Sequence, residues 1–197
     1  MQASPKWRWL ALAAACGLVA ASPAQAQKRD EGPYREGFWI GVGLGYGSAA
    51  VSCSLCTSGS RTGAATFTLR MGGTPSRQLL IGGELNAWGR NTSGVDEAVG
   101  DMSAVVLFYP SLTTPVFLKG GLGVAVYSLN TSPKVESEGL GVSIGVGADL
   151  YTGRRFSLTP FATFMTAISG NLKVGGADTG VAVKPNLLEL GLTATWH

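Results

Sequence analysis

The sequence has little charge, and this scarcity excludes several classes of protein. Charged residues make up 14% of the 197 residues, whereas hydrophobic residues make up 45% and glycine occurs 29 times. A chain this apolar is not expected to be disordered, and its glycine content argues against a coiled coil. The formal net charge is +3, and it falls to +1 when the two cations Lys6 and Arg8 are set aside. No nucleic-acid partner is therefore expected.

Histidine is almost absent, because it occurs once, as His197, the last residue of the sequence. A serine nucleophile needs a base to take its proton, so a histidine-dependent hydrolase is disfavoured. We expect His197 to be unconstrained, and we predict that the protein is not an enzyme and has no catalytic residue, cofactor or metal. A lipid A-modifying barrel enzyme that uses other groups stays an alternative.

Beyond the first 26 residues the sequence has no long apolar run. The pattern of the first 26 residues predicts a secretory signal peptide. Lys6 and Arg8 form a charged start, residues 10–21 form an apolar run, and residues 24–26 form an Ala-Gln-Ala cleavage site. The run is too short for a membrane-spanning helix, which needs about 20 apolar residues. We expect cleavage after residue 26, and Cys16 leaves a lipoprotein as the alternative.

Apolar residues alternate with glycine or polar residues in the rest of the chain, which is the period of a β-strand. In the last strand, residues 187–196, one face is apolar and the other is mostly polar. The apolar face consists of Leu188, Leu190, Leu192, Ala194 and Trp196. In residues 37–47, glycines occupy the face opposite Phe38, Ile40, Val42, Leu44 and Tyr46. Glycine opposite bulky side chains fits the narrow interior of a small barrel.

The pattern predicts eight strands, each near the length that a tilted membrane-spanning strand requires. They are residues 37–47, 64–71, 79–89, 102–109, 116–128, 140–150, 156–168 and 187–196. Residues 102–109 are apolar on both faces, so their orientation stays open. Predicted long connections at 51–62, 90–100, 129–138 and 169–184 alternate with short turns at 72–77, 110–115 and 152–155. Such alternation is typical of outer-membrane barrels, whose periplasmic turns are short.

The two-residue alternation places five charged residues on the predicted inner face. They are Arg70, Glu84, Lys119, Asp149 and Glu189. This placement is expected, because charges that face lipid are costly. We expect Arg70, Asp149 and Lys119 to share a low level of the lumen, with Glu84 and Glu189 further up. An eight-stranded barrel is only wide enough to be filled by side chains. A salt-bridged polar core that fills the lumen is therefore favoured over a small-solute channel.

The chain resembles the small eight-stranded outer-membrane β-barrels, the class of OmpX and the OmpA transmembrane domain. The resemblance rests on the leader, the strand at 37–47, the alternating connections and the last strand. Glu189, Gly191, Ala194 and Trp196 resemble the C-terminal assembly signal of these proteins. The resemblance implies that residues 27–36 are a short lead-in and that residues 37–197 form an all-β, antiparallel up-and-down transmembrane barrel. It also implies a location in the cell outer membrane. The implied partners are outer-membrane lipid and the barrel-assembly machinery.

Cys53 and Cys56 form a Cys-x-x-Cys motif in the first predicted loop. The spacing fits a redox pair or half of a metal site. A redox site of the thioredoxin type needs a strand–helix context, and a metal site needs further ligands, neither of which the neighbouring sequence supplies. We therefore predict a small disulfide that pins an outer loop in an oxidising compartment.

A structural or surface-interaction protein that displays four extracellular loops from a polar, largely plugged lumen is the favoured function. A small-solute channel is the first alternative, and the lipid A-modifying enzyme is the second. A soluble carrier barrel would need its apolar face inside, whereas the glycines and charges here share one face. The sequence indicates no particular partner for the loops.

Overall fold

The computed structural model describes residues 35–53, 60–151 and 155–197. The predicted signal peptide and Cys56 lie outside these residues. The described strands are β1 (Gly37–Cys53), β2 (Thr62–Ser76), β3 (Leu79–Thr92), β4 (Val95–Phe108), β5 (Val116–Leu129), β6 (Val135–Ala148), β7 (Leu150–Tyr151), β8 (Phe156–Ala167), β9 (Asn171–Val174) and β10 (Ala177–Trp196). Within this part of the chain, no helix has the length and hydrophobicity to cross a membrane.

The strands form a closed antiparallel barrel with eight strands in its wall. Each strand from β1 to β5 pairs with the next along the chain, and β8 and β9 pair in succession with β6. Strands β8 and β9 therefore form one wall strand, interrupted at residues 168–170. Strand β10 pairs with both and closes the barrel on β1, with Ile40 opposite Trp196. The predicted fold class is confirmed.

The distribution of side chains is inverted relative to that of a soluble barrel. Leu44, Met102 and Ile144 on the outer face are 70%, 66% and 66% exposed. Arg70, Glu84 and Glu189 on the inner face are 2%, 2% and 1% exposed. The outer residues form an apolar belt around the barrel, as lipid requires, because lipid offers no partner for polar groups.

Strand β4 now has a defined orientation. Val105 and Leu107 are buried in the lumen, whereas Met102, Val106 and Phe108 are exposed on the apolar belt. Both faces of this strand are apolar because its lower half crosses an apolar layer of the lumen as well as the membrane.

The predicted long connections at 90–100 and 169–184 are wrong, because most of these residues belong to strands. Strands β3 and β4 meet at the turn Ser93–Gly94, and β9 and β10 meet at Gly175–Gly176. Ser93 and all three of these glycines have positive φ angles, as tight hairpin turns require. The strands extend beyond the apolar belt, where polar side chains cover both faces and the two-residue alternation disappears.

We call the end of the barrel that holds Arg35 and His197 the lower end, and the opposite end the upper end. The lower end carries the connections at residues 77–78 and 109–115, the end of β7 and the start of β8. The upper end carries the connections at 93–94, 130–134 and 175–176, the end of β1 and the start of β2.

Two inner glycines show why the wall needs small residues. A side chain at Gly47 would meet Trp88 and Leu187, and one at Gly191 would meet the ring of Phe161. The Trp88 indole donates to the carbonyl of Gly47 over 3.0 Å. Glycine at these positions admits large side chains to a narrow lumen, as the sequence pattern predicts.

Candidate functional site

The middle of the lumen holds a charged group that we call the middle cluster. Its members are Arg70, Glu84, Asn86, Asp101, Lys119 and Glu189. The Lys119 ammonium lies 2.5 Å from Glu84 Oε1, and both side chains are almost fully buried. Asn86 donates to the same oxygen over 2.8 Å and to Asp101 Oδ1 over 2.9 Å. Lys119 is thus the cation that pairs with Glu84.

The remaining charges of the middle cluster bind hydroxyl groups. Glu189 accepts a hydrogen bond from Thr68 over 3.0 Å. Arg70 donates to the hydroxyl of Thr193, and its guanidinium lies 5.7 Å from the ring centroids of Phe117 and Phe161. Arg70 therefore spans the boundary between polar and apolar layers.

The expectation that Glu84 lies further up the lumen than Arg70 and Lys119 is wrong, because Lys119 contacts Glu84 directly. Arg70 stands opposite Glu84 in the register of β2 and β3, whereas Asp149 follows β6 at the lower end. Counting positions along each strand gave levels that ignored how neighbouring strands are staggered in a closed barrel.

Two apolar clusters flank the middle cluster inside the lumen. The upper one consists of Ala49, Trp88, Val99, Ala125, Met165, Ala167 and Leu187. The lower one consists of Trp39, Leu80, Val105, Leu107, Tyr109 and Phe117. Trp88, Val99 and Leu80 are at most 2% exposed, so side chains occupy the lumen both above and below the charges.

Asp149 organises a second group, the lower cluster, which consists of Arg35, Tyr109, Asp149, Ser157, Thr159 and His197. Tyr109 donates to Asp149 Oδ2 over 2.6 Å, and Thr159 donates to Oδ1 over 2.7 Å. Arg35 Nε lies 3.9 Å from the same carboxylate. The Arg35 guanidinium also stacks on Tyr109, 3.6 Å from the ring centroid, and donates to the carbonyl of Thr114 over 2.9 Å.

The expectation that His197 is unconstrained is wrong, because the residue is 8% exposed and faces the lower cluster. Its Nε2 lies 3.4 Å from Ser157 Oγ and 3.8 Å from Asp149 Oδ2. A catalytic triad uses one ring nitrogen for serine and the other for the carboxylate, whereas here Nε2 faces both. Ser157 is 0% exposed, so a substrate has no access to it in this arrangement.

Sequence reasoning missed Arg35 and the burial of His197. Both residues lie outside the strands, so no alternation predicts their direction. The sequence carried no signal for the contact of Arg35 with Asp149, because the predicted levels already gave Asp149 two cations, Arg70 and Lys119.

The predicted assembly-signal residues lie on the two faces of β10. Glu189 is buried and Gly191 faces the lumen, whereas Trp196 is 57% exposed on the apolar belt. The Trp196 ring meets Phe156 edge-on with centroids 4.7 Å apart. Aromatic residues at the rim of the belt are typical of membrane barrels, and the assembly role stays a prediction.

The Cys53–Cys56 disulfide also stays a prediction, because Cys56 lies outside the described residues. Cys53 ends β1 at the upper end of the barrel, opposite Val183 of β10. Residues 51–53 of the predicted loop are therefore part of this strand.

Comparison with solved structures finds the same fold in two bacterial proteins. The attachment invasion locus protein Ail of Yersinia pestis matches with a TM-score of 0.53 and 14% identity, over 80% of this chain and 99% of that one. Neisserial surface protein A matches with a TM-score of 0.57 and 14% identity, over 81% and 96%. No protein-family model and no curated protein matches the sequence. The chain therefore has the fold of the small eight-stranded outer-membrane barrels, and its apolar belt suits that fold to a lipid bilayer.

Proposed function

We propose that the protein is an integral outer-membrane barrel with a structural or surface-interaction role. The observation that carries this proposal is the inverted side-chain distribution, with charged residues buried and Leu44, Met102 and Ile144 exposed. A soluble protein rarely exposes a continuous apolar surface of this size. The solved structures with the same fold are named as an attachment invasion protein and a surface protein.

A filled lumen supports a surface role over transport. The Lys119–Glu84 pair and the two apolar clusters place buried side chains at successive levels. The lower cluster adds Arg35 and His197 at the lower end. Because side chains occupy the lumen, a partner would contact the surface of the barrel. The connections and strand extensions at the upper end are the parts that face the outside of the cell.

The experiment compares membrane fractionation with the accessibility of a short epitope on intact cells. One variant carries the epitope at the Ser93–Gly94 turn and the matched control carries it at the Arg77–Gln78 turn. We expect both proteins in the outer-membrane fraction, and antibody binding to intact cells only for the epitope at 93–94. A soluble protein, or equal binding to both epitopes, contradicts the proposal.

Outer-membrane lipid and the barrel-assembly machinery are the proposed partners. The Trp196–Phe156 contact at the rim of the belt supports a role for Trp196 in insertion. We expect Trp196→Ala to lower the amount of protein in the outer membrane, while Trp88→Phe, a change inside the lumen, lowers it less. Equal outer-membrane yields of wild type and Trp196→Ala contradict this role.

A small-solute channel is the second candidate, and one observation favours it. Among the described residues, Arg70 Nε, Glu84 Oε2 and Asn86 Oδ1 are buried without a hydrogen-bond partner. Buried polar atoms of this kind usually bind water, so the middle cluster has the character of a hydrated layer.

The enclosed Ser157 and His197 support no catalytic role, and mass spectrometry of lipid A from cells that express the protein tests the enzyme alternative.

A further inference from the structure

Two cations lie on the outer face of the barrel at the seam where β10, β1 and β2 meet. Arg61 precedes β2 and Lys184 lies on β10, and both are exposed. Tyr46 and Leu188, 64% and 46% exposed, are the last large apolar residues of β1 and β10 below this level on the outer face. The two cations therefore stand where the apolar belt gives way to polar surface.

Neutral acceptors hold Arg61 in place on this seam. Its Nε donates to Ser48 Oγ over 3.1 Å, Nη1 donates to Asn186 Oδ1 over 2.6 Å, and Nη2 donates to the carbonyl of Ser48. Lys184 lies two residues from Asn186 on the same face of β10, about 7 Å along the strand. The guanidinium is thus positioned by contacts that leave its charge uncompensated.

Two exposed cations form ion pairs and differ in this respect from Arg61 and Lys184. Arg77 lies 2.7 Å from Glu36, and Lys134 lies 2.5 Å from Glu136. Neither Arg61 nor Lys184 forms such a pair with any carboxylate of the described residues. The neighbouring residues 54–59 have the sequence SLCTSG, which contains no acidic residue.

We propose that Arg61 and Lys184 bind the phosphate of a membrane lipid in the leaflet around the upper end. Arginine and lysine form their strongest hydrogen bonds with ionised oxygens, and an anionic headgroup supplies the charge that the protein does not. Leu188 and Leu190 lie below the pair on the same strand, where the acyl chains of that lipid pack. The proposal rests on the proposed function only in requiring that the barrel spans a bilayer.

The test uses the full chain refolded in a neutral detergent and titrated with two lipids. The probes are lipid A that carries its phosphates and dephosphorylated lipid A with the same acyl chains. We expect wild type to bind the phosphorylated form at least about tenfold more tightly, because charge-assisted hydrogen bonds are lost with the phosphate. The double variant Arg61→Gln/Lys184→Gln loses this preference. The control Arg77→Gln/Lys134→Gln, which removes paired cations, keeps it.

Three results overturn the proposal: equal binding of both lipids by wild type, an unchanged preference in Arg61→Gln/Lys184→Gln, or displacement of the lipid by an equal concentration of inorganic phosphate. Lys184→Gln alone removes an exposed charge and leaves the Arg61 hydrogen bonds intact, so it reports on binding if the double variant fails to fold. Because the titration is done in detergent, its failure is distinct from a failure of the fractionation experiment.

Discussion

The middle and lower clusters are both charged and buried, yet their residues come from different kinds of position. Arg70, Glu84 and Lys119 lie within strands, where alternation fixes which face a side chain takes. Arg35 precedes the first strand, β1, and His197 follows the last strand, β10. Asp149 lies between β6 and β7. The positions of the middle-cluster charges therefore follow from the strands of the barrel wall. The positions of Arg35, Asp149 and His197 in the lower cluster follow from the path of the chain at the lower end. We expect the middle cluster to be the more costly of the two to break.

The largest effect is expected for Lys119→Met, which leaves Glu84 buried without its cation. Breaking a buried ion pair from one side costs about 3–5 kcal/mol, and the unfolding free energy of the refolded barrel in urea measures it. The double variant Lys119→Met/Glu84→Gln removes both charges and should recover most of that loss. A single variant as stable as wild type would show that the pair is not the main constraint in the middle cluster.

A smaller effect is expected for Arg70→Ala, because Glu84 keeps Lys119. The variant loses the hydrogen bond to Thr193 and the contacts with two aromatic rings. The expected destabilisation is about 1.5–3 kcal/mol, measured by the same urea unfolding. The control Lys134→Ala breaks an exposed pair with Glu136, which is worth at most about 1 kcal/mol. Equal unfolding midpoints for the two variants would refute a structural role for Arg70.

The lower cluster should respond least, and Asp149→Asn tests it. The amide oxygen still accepts a hydrogen bond from Tyr109 or Thr159, and the Arg35 charge keeps the Tyr109 ring and the Thr114 carbonyl. We expect a loss of about 1–2 kcal/mol, which thermal unfolding checks against Glu36→Gln, a change in an exposed pair at the same end. A loss larger than that of Lys119→Met would reverse the order of the two clusters.

Alternation predicted the parts of the fold that lie within the membrane. Apolar residues such as Leu44 and Leu190 face out and charges such as Glu84 and Glu189 face in, because lipid tolerates only one arrangement. Above the belt, water contacts both faces, so the strand extensions around Ser93–Gly94 carry no such pattern. The dipeptides Ser93-Gly94 and Gly175-Gly176 were the available signals, since pairs of this kind favour hairpin turns.

Ion-pair partners could not be predicted in the same way. The face of Arg70 and of Asp149 follows from parity, but their levels depend on the stagger between neighbouring strands, which one strand's sequence does not contain. Arg35 and His197 lie beyond the strands, so their positions follow from how the chain enters and leaves the barrel. Local sequence thus determines the wall, and closure of the whole barrel determines the pairing inside it.

The most direct test of the proposed role is single-channel recording of the refolded wild-type barrel in a planar lipid bilayer. We expect insertion without a steady open conductance, because Trp88, Leu80 and the Lys119–Glu84 pair occupy successive levels of the lumen. Insertion can be checked independently by the resistance of the barrel to proteolysis in the same lipid. A steady open conductance from inserted wild-type protein would contradict the filled lumen and establish the small-solute channel in its place.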